Sequence, residues 1–207
     1  SITNDGVSID IFVDSSNRMN VISPSGAALT FATSALTLGT WTHIALVANS
    51  GTISMYYNGV SQPLSGTTTG FNYTNTATIQ IGGLPTASGY TWYGYISNLR
   101  VVKGTAVYTA NFTPSTTPLT AISGTVLLMP FTDAAVYDNT MLSNFETVGN
   151  VQVNTSVFKY GTGSLKFNGT TDYLTIPASA NTSFGTGDFT VEFWINTAGA
   201  NSQILSL

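Results

Sequence analysis

The acid–base chemistry of this 207-residue chain rests on two glutamates, Glu146 and Glu192, seven aspartates and a single histidine, His43. Retaining glycoside hydrolysis needs two carboxyls about 5–5.5 Å apart. Glu146 and Glu192 lie in different segments, and "TVEFWIN" around Glu192 holds no second acid at the needed offset. Asp10 and Asp14 in "SIDIFVDSS" share strand parity, but Asp14 reads as a turn residue. His43, in "WTHIALV", has no cysteine to share a metal with, and no Ser–His–Asp set can be argued from it. It reads as a strand histidine beneath a sheet, on one face with Trp41 and Ala45 and opposite Ile44 and Leu46. These residues predict no catalytic set.

Glu192 still needs a partner. In "FTVEFWI", Phe189, Val191, Phe193 and Ile195 make one face, and Thr190, Glu192 and Trp194 the other. A carboxylate beside a tryptophan on a partly buried face is costly unless paired. Arg100, in "ISNLRVV", offers a planar guanidinium fork, so a structural Glu192–Arg100 pair between strands is expected; contact with a sugar is the competing role. Sugar recognition would use aromatic faces bordered by Asn, Asp and Gly. The densest such set is "SGYTWYGY", with Tyr90, Trp92, Tyr93 and Tyr95, and the second is "GFNYTN", with Phe71 and Tyr73. Packing of Trp92 at a sandwich end, or against a neighbouring subunit, is the other reading of the first set.

The elements that must position these residues are strands. "VSIDIFV", "THIALVA", "ATIQIGG", "GYISNLRVV", "SLKFNG", "DYLTIP" and "FTVEFWI" place apolar residues at every second position. Turn chemistry separates them in "NSGT", "YNGV", "FNGTTD" and "GTGD". No segment of ten residues or more has helical periodicity. About a dozen strands at this spacing predict an all-β, two-sheet antiparallel sandwich or jelly roll. Residues 104–124, "GTAVYTANFTPSTTPLTAISG", lack alternation and predict an ordered, meandering connection.

Composition narrows the class. Charged residues are 7% of the chain, against roughly 25% in ordinary soluble proteins, and Thr, Ser, Asn and Gly replace them. A surface with so few charges resists association weakly. The five Lys and Arg are scattered and the net charge is −4, so no basic stripe exists to follow a nucleic acid. There is no cysteine, hence no disulfide. No apolar run reaches the roughly 20 residues of a membrane span. Five Asn-x-Ser/Thr patterns, at Asn72, Asn111, Asn154, Asn168 and Asn181, are what chance supplies in a chain this rich in Asn and Thr.

Several segments resemble the laminin-G-like, concanavalin A-type jelly-roll family, in the version found in phage virion proteins and secreted bacterial proteins. They are "KYGTGSLKFNGTTDYLTIPAS", "FGTGDFTVEFWINT", "WTHIALVANSGTISMYYNGV" and "GYISNLRVVKGTAVYTANFTPSTTPLTA". The resemblance implies a circularly shifted strand order: later strands and the Pro/Thr-rich connection in 1–124, opening strands in 125–207. A permuted domain, one period of a repeat array, and the back of one domain followed by the front of the next all give this order; a repeat or modular fibre setting is preferred, with neighbouring copies as partners. Jelly-roll glucanases of similar architecture carry a Glu-x-Asp-x-x-Glu strand motif that is missing here. The resemblance allows a calcium ion at the sandwich rim, held by Asp carboxylates and backbone carbonyls; Asp5, Asp14, Asp172 and Asp188 all sit at turns, nothing in the sequence fixes which of them converge, and turn formation alone accounts for them. The function expected is a non-enzymatic structural and interaction module of a phage fibre, virion appendage or extracellular filament, displaying loops toward cell-surface glycans. A discrete secreted lectin is the alternative, and the location expected is extracellular or on a virion surface.

Overall fold

The computed structural model describes residues 9–22, 28–31, 34–66, 68–69, 78–83, 91–131, 138–140, 142–182, 185–200 and 202–206. Among them every regular element is a strand and none is a helix, so no described helix is long and apolar enough to cross a membrane. Two antiparallel sheets form a sandwich. The first contains β1 (Asp10–Val13), β2 (Met19–Ile22), β3 (Ala28–Phe31), β7 (Leu64–Ser65), β8 (Ile79–Ile81), β11 (Glu146–Val148), β14 (Tyr173–Ile176) and β16 (Ser202–Ser206). Its order is β11-β14-β8-β16-β1-β2-β3-β7.

The second contains β4 (Trp41–Asn49), β5 (Thr52–Tyr57), β6 (Val60–Ser61), β9 (Tyr93–Lys103), β10 (Thr125–Met129), β12 (Gln152–Asn154), β13 (Ser164–Asn168) and β15 (Phe189–Thr197). Its order is β12-β13-β9-β15-β4-β5-β6, with β10 pairing the far half of β9. Both sheets combine strands from before and after residue 124. In the first, β16 lies beside β1 with Asp10 opposite Ser206.

The alternation read from the sequence decides which face is core. Phe189, Val191, Phe193 and Ile195 of β15 meet Ile44 and Leu46 of β4, Leu165 and Phe167 of β13, and Ile9, Ile11 and Val13 in one buried cluster. Full burial of such side chains contributes about 1.5–3 kcal/mol each, so this layer dominates the stability. The hairpins joining β4 to β5 and β5 to β6 turn on Ser50–Gly51 and Asn58–Gly59, all four with positive φ. That is the two-residue turn whose twist matches paired strands.

Two aspartates hold the connections. Asp172, buried after β13, accepts the Asn150 and Asn168 amides at 2.8 and 3.1 Å. Asp138, also buried, accepts the amides of Leu128, Thr140 and Ser143 and the Thr140 hydroxyl. Replacing Asp138 with Ala strands those donors and is expected to cost about 1–3 kcal/mol. Urea unfolding measures it; an unchanged midpoint would contradict the assignment.

Candidate functional site

Residues 104–124 form no strand before Thr125. They run as a strap across the outer face of the second sheet, the side away from the core. There Ala45, Val47 and Tyr56 make a small second apolar cluster with Ala106, Tyr108 and Phe112. The Tyr108 and Phe112 rings stack with centroids 3.6 Å apart. Polar bonds fasten the strap along its length. Thr190 Oγ1 accepts the Val107 amide and donates to the Thr105 carbonyl. The Phe112 amide donates to the Gly59 carbonyl at 2.9 Å, and the Leu119 amide to Asn98 Oδ1 at 3.2 Å.

Under the strap lies Glu192, with no exposed surface. Its β9 neighbour in register is Arg100. A β-bulge brings them together: the pairing slips between Glu192 and Trp194, and Asn98 takes a positive φ of 54°. This extra residue reverses the parity of β9, so that Ile96 and Leu99 both face the core and Arg100 turns outward. The guanidinium does not straddle the carboxylate. Nε, at 2.7 Å, and Nη2 both bond Oε1, while Nη1 donates to the Thr120 carbonyl at 2.7 Å. Oε2 is left for the Tyr108 hydroxyl, which donates at 2.7 Å. His43 Nε2 stands 3.3 Å from the same oxygen, within ion-pair range but off the line of a hydrogen bond. Trp194 covers the cluster's flank, with His43 at its edge (5.2 Å) and the Lys159 ammonium 4.3 Å from its ring centre.

Burial alone would push the Glu192 carboxyl up. His43, the Arg100 charge and the Tyr108 hydroxyl together outweigh it and hold the group below the usual carboxylate range. Burial, reinforced by the Glu192 charge, pushes the Tyr108 hydroxyl up. Chemically this is a neutralised anion under a roof. Among the described residues no second carboxyl joins it, and Glu146 is an exposed residue of β11 in the other sheet. A depressed native pKa means that the folded chain binds fewer protons than the unfolded one near pH 4, so stability rises with pH there. The contribution is complete above the unfolded glutamate value of about 4.3 and is lost as pH falls through the lower native value. Asp14, whose carboxyl bonds the Ser16 and Arg18 amides and the Arg18 side chain, is lowered too and acts in the same sense. Melting temperature is therefore expected to hold between pH 7 and about pH 5 and to fall below that, less steeply in Glu192→Gln. An equal slope in that variant would place the titration elsewhere.

The other expected residues fall as follows. Trp92 requires correction as an exposed platform: it is fully buried in the core cluster, because it shares strand parity with Gly94 and Ile96 and turns inward with them. Tyr93, one residue on, is 50% exposed. Tyr90, Phe71 and Tyr73 lie outside the described residues, as does Asp5. Asp14, Asp172 and Asp188 sit at separate turns and bond nearby amides, Asp188 accepting that of Ser50. Among the described residues no three His, Cys, Asp or Glu side chains gather to hold a metal ion. Tyr93 and Asn168 wall an open cleft of about 270 Å³ beside the β13–β14 turn.

Sequence reasoning missed Tyr108 and Asp138. Tyr108 approaches from a stretch without periodicity, and only its aromatic spacing from Phe112 could have signalled a docked segment. Asp138 followed by Thr140 is the weak local signal of a turn cap.

A laminin G model, described as the concanavalin A-like lectin/glucanases superfamily, matches residues 1–107 of the 207. No curated protein matches the chain.

Proposed function

The chain belongs to the concanavalin A-like lectin/glucanases superfamily, and we propose that within it this domain is a non-catalytic module of an extracellular or virion-surface assembly that binds glycans through its open edges. One observation carries the reading. Glu192, the buried glutamate on the sheet face, is neutralised by Arg100 and covered by Tyr108, so among the described residues the place where two cooperating carboxyls would be sought holds one, and it is sealed. The sparsely charged surface adds a reason to associate with copies or fibre partners.

The experiment has two arms. Incubation with β-glucans is expected to release no reducing sugar, and a glycan array to give binding. Sugar release would return the domain to the hydrolases. A monomeric chain binding one oligosaccharide at micromolar affinity would favour a free-standing lectin over an assembly module.

A further inference from the structure

At the start of β9 the chain alternates sharply between buried and open. Trp92 is fully covered, whereas Tyr93 is 50% exposed. The Tyr93 ring is nonetheless held firmly in place. A Cβ on Gly169 would come within 2.8 Å of Tyr93 Cβ, and one on Gly199 within 3.1 Å of Cδ1. Two backbone segments thus close on the residue from either side, which glycine alone permits. The Tyr93 carbonyl accepts the Ala198 amide at 2.9 Å, and Tyr93 sits opposite Asn168 in register. An aromatic fixed this way presents a face at little ordering cost.

Around the ring lies the cleft of about 270 Å³. Among the described residues its wall has no carboxylate, ammonium or guanidinium. It is lined instead by the neutral polar residues Asn168, Thr91 and Ser202. Thr91 is buried, and its Oγ1 is closed off from solvent, without a hydrogen-bond partner among the described residues, so its side chain serves as packing behind the ring. Ser202 Oγ donates to the Ala200 carbonyl at 3.2 Å and keeps its lone pairs free to accept. Asn168 Nδ2 gives one hydrogen to Thr171 Oγ1 and has a second to give.

We propose that this cleft binds one neutral pyranose ring, its C–H face on Tyr93 and its hydroxyl rim on Asn168 and Ser202. An uncharged wall gives no counterpart for an amino acid or a phosphate. The volume lies just under the roughly 300 Å³ at which pockets for larger ligands begin, which suits a single ring. Asn168 also borders a smaller cleft of about 120 Å³ walled by Gln152 and Lys166, and a longer glycan leaves the first cleft in that direction. The inference rests on the glycan-binding reading above and assigns it a place and a chemistry.

The test titrates the 207-residue chain with maltotriose, cellotriose, mannobiose and galactobiose, and follows backbone amides by NMR. At least one neutral oligosaccharide is expected to shift Gly169 and Gly199. Tyr93→Ala should weaken that binding at least tenfold, while Tyr93→Phe keeps it within threefold. Ser202→Ala should weaken it severalfold without lowering the melting temperature, and it carries the test should Tyr93→Ala fail to fold. Equal binding by Tyr93→Ala, or shifts confined to another edge, would overturn this site and leave the glycan-binding reading standing. No binding by any of the four, together with an empty glycan array, would overturn both.

Discussion

Glu192→Ala is expected to destabilise the fold by about 3–5 kcal/mol, the range found when one partner of a buried ion pair is removed. The Arg100 guanidinium would remain under the strap with only the Thr120 carbonyl to receive it, and Tyr108 and His43 would lose the anion that they face. Arg100→Ala is expected to cost a similar amount for the mirror reason. Removing both charges together in Glu192→Ala/Arg100→Ala should cost less than the sum of the single changes, because neither ion is left alone. A double-mutant cycle reads the coupling, expected at about 0.5–3 kcal/mol for groups in one network; a coupling near zero would show that the pair is incidental. Because both partners also hold the strap, amide exchange in residues 105–120 should quicken in each single variant before the core opens.

How much of this arrangement the sequence disclosed depends on the element. In β15 the period of two is uninterrupted, so "FTVEFWI" names both its core face and the face that carries Glu192. In β9 the same rule fails midway. Strict alternation from Ile96 would send Arg100 into the core; the bulge at Asn98 sends it to Glu192. A bulge is one unpaired residue whose position depends on the partner strand, and one strand's pattern does not contain it. The opposite error affected Trp92. It stands among aromatics that suit a sugar-binding surface, yet the alternation of β9 carried one step earlier puts it inside. Tyr108 was illegible for a different reason. A strap takes its conformation from the surface it crosses, so its contacts are non-local and leave no period behind. The aspartates were half legible: their turn positions could be read, but not which amides each would cap.

Gly59→Ala tests the strap from its other side. Gly59 lies at the tip of the β5–β6 hairpin with φ +79°, and a Cβ there would meet the Phe112 carbonyl oxygen at 1.8 Å and Pro114 Cδ at 3.1 Å. Two costs combine. A left-handed conformation costs a non-glycine residue about 1–2 kcal/mol, and a clash that cannot relax costs about 1–3 kcal/mol more. Gly39 separates them, since it has φ +71° and nothing within 4 Å of its missing Cβ. Gly39→Ala should therefore lose only the first of these, and Gly59→Ala about 2–5 kcal/mol in all. The excess has a structural signature, because the obstructing atom belongs to the strap. To admit the methyl group, Phe112 must lift, giving up its amide bond to the Gly59 carbonyl and its ring contacts with Tyr108, Tyr56 and His43. Gly59→Ala should then resemble Glu192→Ala in faster exchange of the 105–120 amides and in a shallower loss of stability on acidification, although residue 59 carries no charge. Equal losses at Gly39 and Gly59 would mean that the strap yields freely at the hairpin tip and that its hold on the sheet comes from the Glu192 cluster alone.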